Sequence, residues 1–170
     1  MQAADPLILT AAFDPASARL FQELRDRYFP PRLNIVPAHL SLFHQLPGEA
    51  HAAILGALRA EPVAVLSFTA GDLRFLGRGV AVEILCPELV AVRKGLATRW
   101  ADWLTPQDRQ GFRAHVTVQN KVSSDEARST MEGLSGRFAG LAGTIVGFDL
   151  WHYRGGPWES AGEVRWTAPA

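Results

Sequence analysis

Apolar positions along this chain keep two periods, one of two residues and one of three to four, and the changes between them mark out its elements. Residues 7 to 13, LILTAAF, form a continuous apolar run of the length of a buried strand. Asp14 and Pro15 then supply an N-cap and a first-turn proline, and Leu20, Phe21, Leu24 and Tyr28 recur at helical spacing until Pro30 and Pro31 end the run. A strand is predicted over 38 to 43. The stretch EAHAAILGALRAE then brings Ile54, Leu55 and Leu58 onto one helical face, and strands follow at 62 to 69, 72 to 76 and 79 to 85, with Gly77 and Gly79 reading as a hairpin turn. A proline-led helix from Pro87 carries the stripe Leu89, Val92, Leu96, Trp100 and Trp103, and a strand is predicted over 113 to 119. Ser123 and Glu126 make a capping box for a helix whose core face is Ala127, Met131, Leu134 and Phe138. Strands at 143 to 153 and 163 to 167 close the chain.

The order of elements repeats. In each half a helix ends some ten residues before a strand bearing a histidine and a hydroxyl two apart, and another helix begins some ten residues after it. This predicts an α+β, bilobal duplicated fold: two antiparallel sheets backed by helices, with the histidine strands facing across a central cleft. No linker or low-complexity stretch intervenes, so residues 1–170 read as a single domain of two pseudo-repeat lobes.

Composition narrows the partners. Lys+Arg and Asp+Glu both number 17 in 170 residues, so there is no global basic field of the kind that holds long duplex DNA, and an anionic ligand must be met by local charge. The one cysteine, Cys86, cannot form an intramolecular disulfide, which fits a reducing compartment. The N-terminal stretch MQAADPLILTAAF lacks a basic segment, and its apolar run is short for a signal peptide or a membrane span. The expected location is the cytoplasm, with no membrane association.

The chemistry lies in two segments. In PAHLSLFHQLPG, residues 37 to 48, strand alternation puts His39, Ser41 and Phe43 on one face and Leu40 and Leu42 on the other. In FRAHVTVQNK, residues 112 to 121, Arg113, His115, Thr117 and Gln119 share one face while Val116 and Val118 take the core side. Two imidazoles opposed across a cleft suit in-line displacement at phosphorus: one deprotonates water while the other protonates the departing ribose oxygen. Ser41 and Thr117 would donate hydrogen bonds to the non-bridging oxygens. Arg113 and Lys121 are candidates for local positive charge, Phe43 for stacking a base and Gln119 for the cleft rim. Neither 32–47 nor 110–121 contains Asp, Glu or Cys, so no metal and no cofactor is expected. His44 falls on the face opposite His39 and reads as structural or surface, and His51 as the first turn of an exposed helix. His152 is a candidate to line the cleft, whereas Trp151, Tyr153 and Trp158 read as core or lobe packing.

The tetrads HLSL, residues 39 to 42, and HVTV, residues 115 to 118, stand 115 minus 39, or 76, residues apart. They resemble the H-x-[TS]-x tetrads of the two-histidine phosphoesterase superfamily, in its 2'-5' RNA ligase and cyclic phosphodiesterase branch, and the resemblance covers essentially the whole chain. Ser41 stands where threonine is commoner, and Ala38 and Ala114 stand where proline often precedes the histidine. The resemblance implies that His39 and His115 are the acid/base pair and that Ser41 and Thr117 contact phosphate. It also implies action on 2',3'-cyclic phosphates or 2'-5' phosphodiester bonds. The expected ligand is a nucleotide or short RNA end bearing a cyclic phosphate, with no obligate protein partner. Two other readings use the same residues: a non-catalytic RNA-end binding module, and a 2'-5' RNA ligase running the transesterification in the joining direction.

Overall fold

Asp14 caps the first helix as its position predicts: its carboxylate accepts from the Ser17 backbone N–H at 2.9 Å and the Ser17 hydroxyl at 2.8 Å. It also accepts from the Thr144 N–H at 2.7 Å, which ties that helix to a strand 130 residues away. Burial alone would raise this carboxyl, and the hydrogen bonds from Ser17 and Thr144 outweigh it and hold it below the usual range. The computed structural model describes residues 4–168. In chain order these form β1 (Leu7–Phe13), α1 (Pro15–Tyr28), β2 (Leu40–Leu46), α2 (His51–Ala60), β3 (Leu66–Phe75), β4 (Val80–Leu85), α3 (Pro87–Arg99), α4 (Pro106–Arg109), β5 (His115–Gln119), α5 (Ser124–Leu134), β6 (Ala142–His152) and β7 (Glu159–Arg165).

Several boundaries differ from the periodicity: β7 begins at Glu159, ahead of the expected 163, β2 runs on to Leu46, and Trp100 and Trp103 lie beyond the end of α3. The strands expected at 62–69 and 72–76 are one strand, β3, irregular between Ala70 and Leu73, with Pro62 left outside it. Helix α5 stops at Leu134 because Gly136 turns at φ +74°, so Phe138 reaches the core from the turn beyond. The hairpin at Gly77 holds: φ is +82° there, and the Leu76 N–H donates to the Gly79 carbonyl at 2.9 Å.

All seven strands pair antiparallel in one hydrogen-bonded sheet of order β2-β1-β6-β3-β4-β5, with β7 added to β6. This replaces the two separate sheets expected from the repeat. The reason is the length of β6, 11 residues, of which 145–152 pair with β1 along one edge while the other edge takes β3 at residues 142–145 and β7 at residues 147–152. The halves are therefore joined through β6. The end strands of the path, β2 and β5, pack against each other, so the curled sheet brings the two histidine segments together. Helix α1 packs across β5, β1 and β6, and α5 covers β3 and β4. Phe21, Phe43, Phe68 and Phe148 are the largest fully buried side chains of the core. No described helix is long and apolar enough to cross a membrane.

Candidate active site

His115 opens β5 and His39 directly precedes β2, so both imidazoles stand where a strand begins. Each makes the same bond. The His39 Nδ1–H donates to the Pro37 carbonyl at 2.7 Å, and the His115 Nδ1–H donates to the Arg113 carbonyl at 2.8 Å. A carbonyl only accepts, so both rings carry hydrogen on Nδ1 and present Nε2 as the free nitrogen. Desolvation lowers the pKa of the half-buried His39 to about 4; the Pro37 carbonyl works against this, and the positive charge of Arg25, His44 and His115 adds to it. His39 is therefore neutral near pH 7, its Nε2 a proton acceptor.

Directly after each hydroxyl the strand carries an extra residue. In β2, Ser41 pairs with Thr10 but the next β1 residue, Leu9, pairs with Phe43, leaving Leu42 as a bulge. In β5, Thr117 pairs with Ala81 but Val80 pairs with Gln119, leaving Val118 as a bulge. A bulge shifts alternation by one, so residues beyond it change faces. Phe43 accordingly lies at 0% exposure in the core, 5.4 Å from Trp100 between ring centroids and with the Arg93 guanidinium 4.4 Å from its own ring centroid; it is not available to stack a base. Gln119 is 1% exposed and donates from Nε2 to the Thr130 hydroxyl at 2.8 Å, so it is a core residue and not part of the cleft rim. The same shift carries His44 to the cleft side. Ser41 and Thr117, before the bulges, stay half-buried.

Ser41, His44, Arg74, Arg93, Arg113 and His115 line one cavity of about 310 Å³. Two carboxylates reach this region from elsewhere in the chain. Glu83, on the neighbouring strand opposite His115, pairs with the exposed Arg113. Asp108, 1% exposed, accepts the His44 ring Nδ1–H at 2.9 Å and the backbone N–H groups of His44 and Gln45. Burial would raise the Asp108 carboxyl, but the His44 ring and those backbone donors keep it below the usual range. No three His, Cys, Asp or Glu side chains among the described residues come together as a metal site. His152 stays out of the cleft: it pairs with Leu7 at the far end of β1 and stands 5.8 Å from His51, whose Nε2–H donates to the Ala161 carbonyl at 2.6 Å.

Two residues of this region escape pattern reading. Trp158, in the turn between β6 and β7, lies with its ring centroid 4.5 Å from that of His39 and 6.0 Å from that of Trp151, so it walls the His39 side. Arg25 is 3% exposed on α1, in line with the buried Ser17 and Phe21. Its guanidinium stacks 3.9 Å from the Phe29 ring centroid and donates to Asn34 Oδ1 at 2.8 Å and to the Thr117 carbonyl at 3.2 Å, clamping the second tetrad to α1. Desolvation lowers its pKa, with Asp26 opposing. A buried arginine at that i, i+4, i+8 spacing is the signal that points to it. Arg25→Leu is expected to cost about 2–3 kcal/mol in urea unfolding, because both acceptors lose a charged donor. A midpoint within a few tenths of a molar of wild type would show the clamp is inert.

A family model described as the 2'-5' RNA ligase superfamily matches residues 13–157, a span holding both tetrads. The chain belongs to that superfamily. Members of the 2'-5' RNA ligase superfamily, the two-histidine phosphoesterases, are typically phosphoesterases or RNA-ligase-like enzymes. Among curated proteins, none matches in sequence. Solved structures share the superfamily fold: E. coli LigT, crystallised with 3'-AMP, at a TM-score of 0.66 and 18% identity over 96% of this chain and 98% of that one. TT0787 of Thermus thermophilus gives 0.66 at 14% identity over 97% and 100%, and Kluyveromyces marxianus Usb1 gives 0.51 at 13% over 87% and 94%.

Proposed function

We propose that this superfamily member hydrolyses 2',3'-cyclic phosphates or 2'-5' phosphodiester bonds in nucleotides or RNA ends, by metal-independent two-histidine acid/base catalysis. The observation that carries the reading is the duplicated presentation of the imidazoles, each fixed by an Nδ1–H bond two residues back and each followed by a hydroxyl and a bulge. Neutral His39 takes the proton of the attacking water, and His115 delivers one to the departing ribose oxygen. Ser41 and Thr117 donate to the non-bridging oxygens, which gather negative charge at the transition state. The crystallisation of E. coli LigT with 3'-AMP supports a nucleotide in this cleft.

A cyclic phosphate is strained, singly charged and needs one proton removed and one delivered. A monoester brings a second charge and a poorer leaving group, for which metals or covalent nucleophiles are the common answer. The deciding experiment is a panel of 2',3'-cyclic nucleotides, 2'-5' and 3'-5' dinucleotides, cyclic-ended short RNAs and simple monoesters, resolved by chromatography. The expected outcome is conversion of the cyclic substrates to a single isomer, the 2'-phosphate as the resemblance implies, with monoesters inert. Turnover confined to monoesters overturns the reading. Inertness to the whole panel alongside RNA binding assigns the cleft to a binding module, and joining of RNA ends assigns it to ligation.

Arg113 faces the same cavity, neutralised in part by Glu83. Arg113→Ala removes the cation and leaves the carboxylate unpaired beside an anionic substrate. It is expected to raise KM about tenfold and to change kcat by less than about threefold, because ground and transition states lose the contact alike. A change in thermal stability alone, at constant KM, makes Arg113 structural.

A further inference from the structure

His44 is a third imidazole of the cleft, and the reaction above does not use it. Asp108, held ionised by its hydrogen bonds, can only accept, so the bond at 2.9 Å fixes hydrogen on the His44 Nδ1 and leaves Nε2 free. The backbone bonds from His44 and Gln45 to the same carboxylate lock the strand beneath it, and the Arg93 guanidinium donates to the Asp108 carbonyl at 2.6 Å and to the Leu42 carbonyl at 3.2 Å. The His44 ring is 46% exposed and lines the cavity that holds Ser41 and His115. A half-exposed histidine needs no buried carboxylate to keep it soluble. The carboxylate holds one ring nitrogen and commits the other to the cavity.

The cavity also carries permanent positive charge beyond its catalytic groups. Arg74, Arg93 and Arg113 line it, against Asp108 in the lining and Glu83 behind Arg113. With Glu83 set against Arg113 and Asp108 against a second cation, permanent positive charge remains before His44 or His115 is protonated. Three residues of strand separate Ser41 from His44, on the order of 10 Å when extended and less across the bulge. That is the reach of a nucleotide rather than of one phosphate group.

We propose that His44 reads a second phosphate on the substrate, so that the cleft prefers a cyclic phosphate carrying a further phosphate group to a bare nucleoside 2',3'-cyclic phosphate. The inference rests on the cyclic-phosphate reading of the cleft. The second phosphate has two sources, a 5'-phosphate on the same nucleoside or the neighbouring phosphodiester of an oligonucleotide; both present oxygens that only accept, so His44 binds them as the imidazolium, the form in which Nε2 carries hydrogen while Nδ1–H stays on Asp108.

Steady-state kinetics of the full chain on adenosine 2',3'-cyclic phosphate, its 5'-phosphorylated form and the dinucleotide ApA ending in a 2',3'-cyclic phosphate test it. At least one substrate bearing a second phosphate is expected to show a kcat/KM about tenfold or more above adenosine 2',3'-cyclic phosphate, carried by KM, and the arm that gains identifies the source. In His44→Ala and His44→Gln, with folding checked by thermal melting, that ratio is expected to fall to within about threefold of one. A ratio near one in wild type, or an unchanged ratio in both variants, overturns the role of His44. If nothing in the panel turns over, it is the cyclic-phosphate reading that has failed. His44 is then judged by calorimetry with adenosine 2',5'-bisphosphate against 2'-AMP. A bisphosphate preference lost in His44→Gln supports the role, and no preference, or one that persists in the variant, ends it.

Discussion

His39→Ala and His115→Ala each lower kcat by at least about a hundredfold, the ordinary scale for a general acid or base, while the protein stays folded and EDTA leaves the wild-type rate unchanged. The expectation follows from how the rings are held. Each is half-buried and hydrogen-bonded only through Nδ1, so alanine removes the free Nε2 without opening a core cavity. Neither ring substitutes for the other: one proton must leave water on one side of phosphorus while another reaches the leaving oxygen opposite. The double variant should therefore be little worse than the slower single one, since both groups act in one transition state. A double alanine variant that turns over at close to the wild-type rate, or activity that a chelator abolishes, sinks the mechanism. A protein without turnover whose alanine variants keep their RNA affinity is a binding module.

How far these residues could be read from the sequence depends on where the information sits. Asp14-Pro15 and Ser123-Glu126 announce helix starts through bonds spanning three residues, and both caps form. The tetrads announce themselves by recurrence. Phe43 and Gln119 are different, because alternation carried past Ser41 and Thr117 assumes an unbroken ladder, and a bulge is a property of a strand together with its partner. The consecutive apolar pair Leu42-Phe43 was a local trace of it, and Val118-Gln119 left none. Asp108 and Glu83 lie outside both tetrad segments and arrive through tertiary pairing that no local window contains. The single sheet was hidden for the same reason: nothing in the period of β6 tells which strands share its two edges. The chemistry of the imidazoles was thus legible, and the groups that orient and charge the cleft around them were not.

The acid limb of kcat/KM is expected to fall with a midpoint near pH 4, not near the 6.5 of an ordinary imidazole, because desolvation lowers His39 to about 4 in the free protein. At pH 5 a histidine of pKa 6.5 is only about 3% neutral, and one at 4 is about nine-tenths neutral, so the difference is roughly thirtyfold in usable base. Bound phosphate favours the imidazolium, so the acid limb of kcat should lie above that of kcat/KM. The same depression has a stability consequence of definite sign. Above pH 6.5 both folded and unfolded His39 are neutral; as pH falls from 6.5 towards 4 the unfolded chain takes up a proton that the folded chain refuses, so stability is lost over that window. The loss by pH 5 is at most about 2 kcal/mol, solvent screening of the partly exposed ring reducing it. Asp14 and Asp108, whose carboxyls are lowered from 3.8, contribute stability that is lost only below that value, so the two effects separate on the pH axis. Urea unfolding of wild type and His39→Gln between pH 7.5 and 5 isolates the histidine: wild type should lose stability over this range by more than the variant does. Parallel curves, together with a kcat/KM limb near 6.5, would show that His39 titrates as an ordinary imidazole and would hand the base's role back to an open choice between the two histidines.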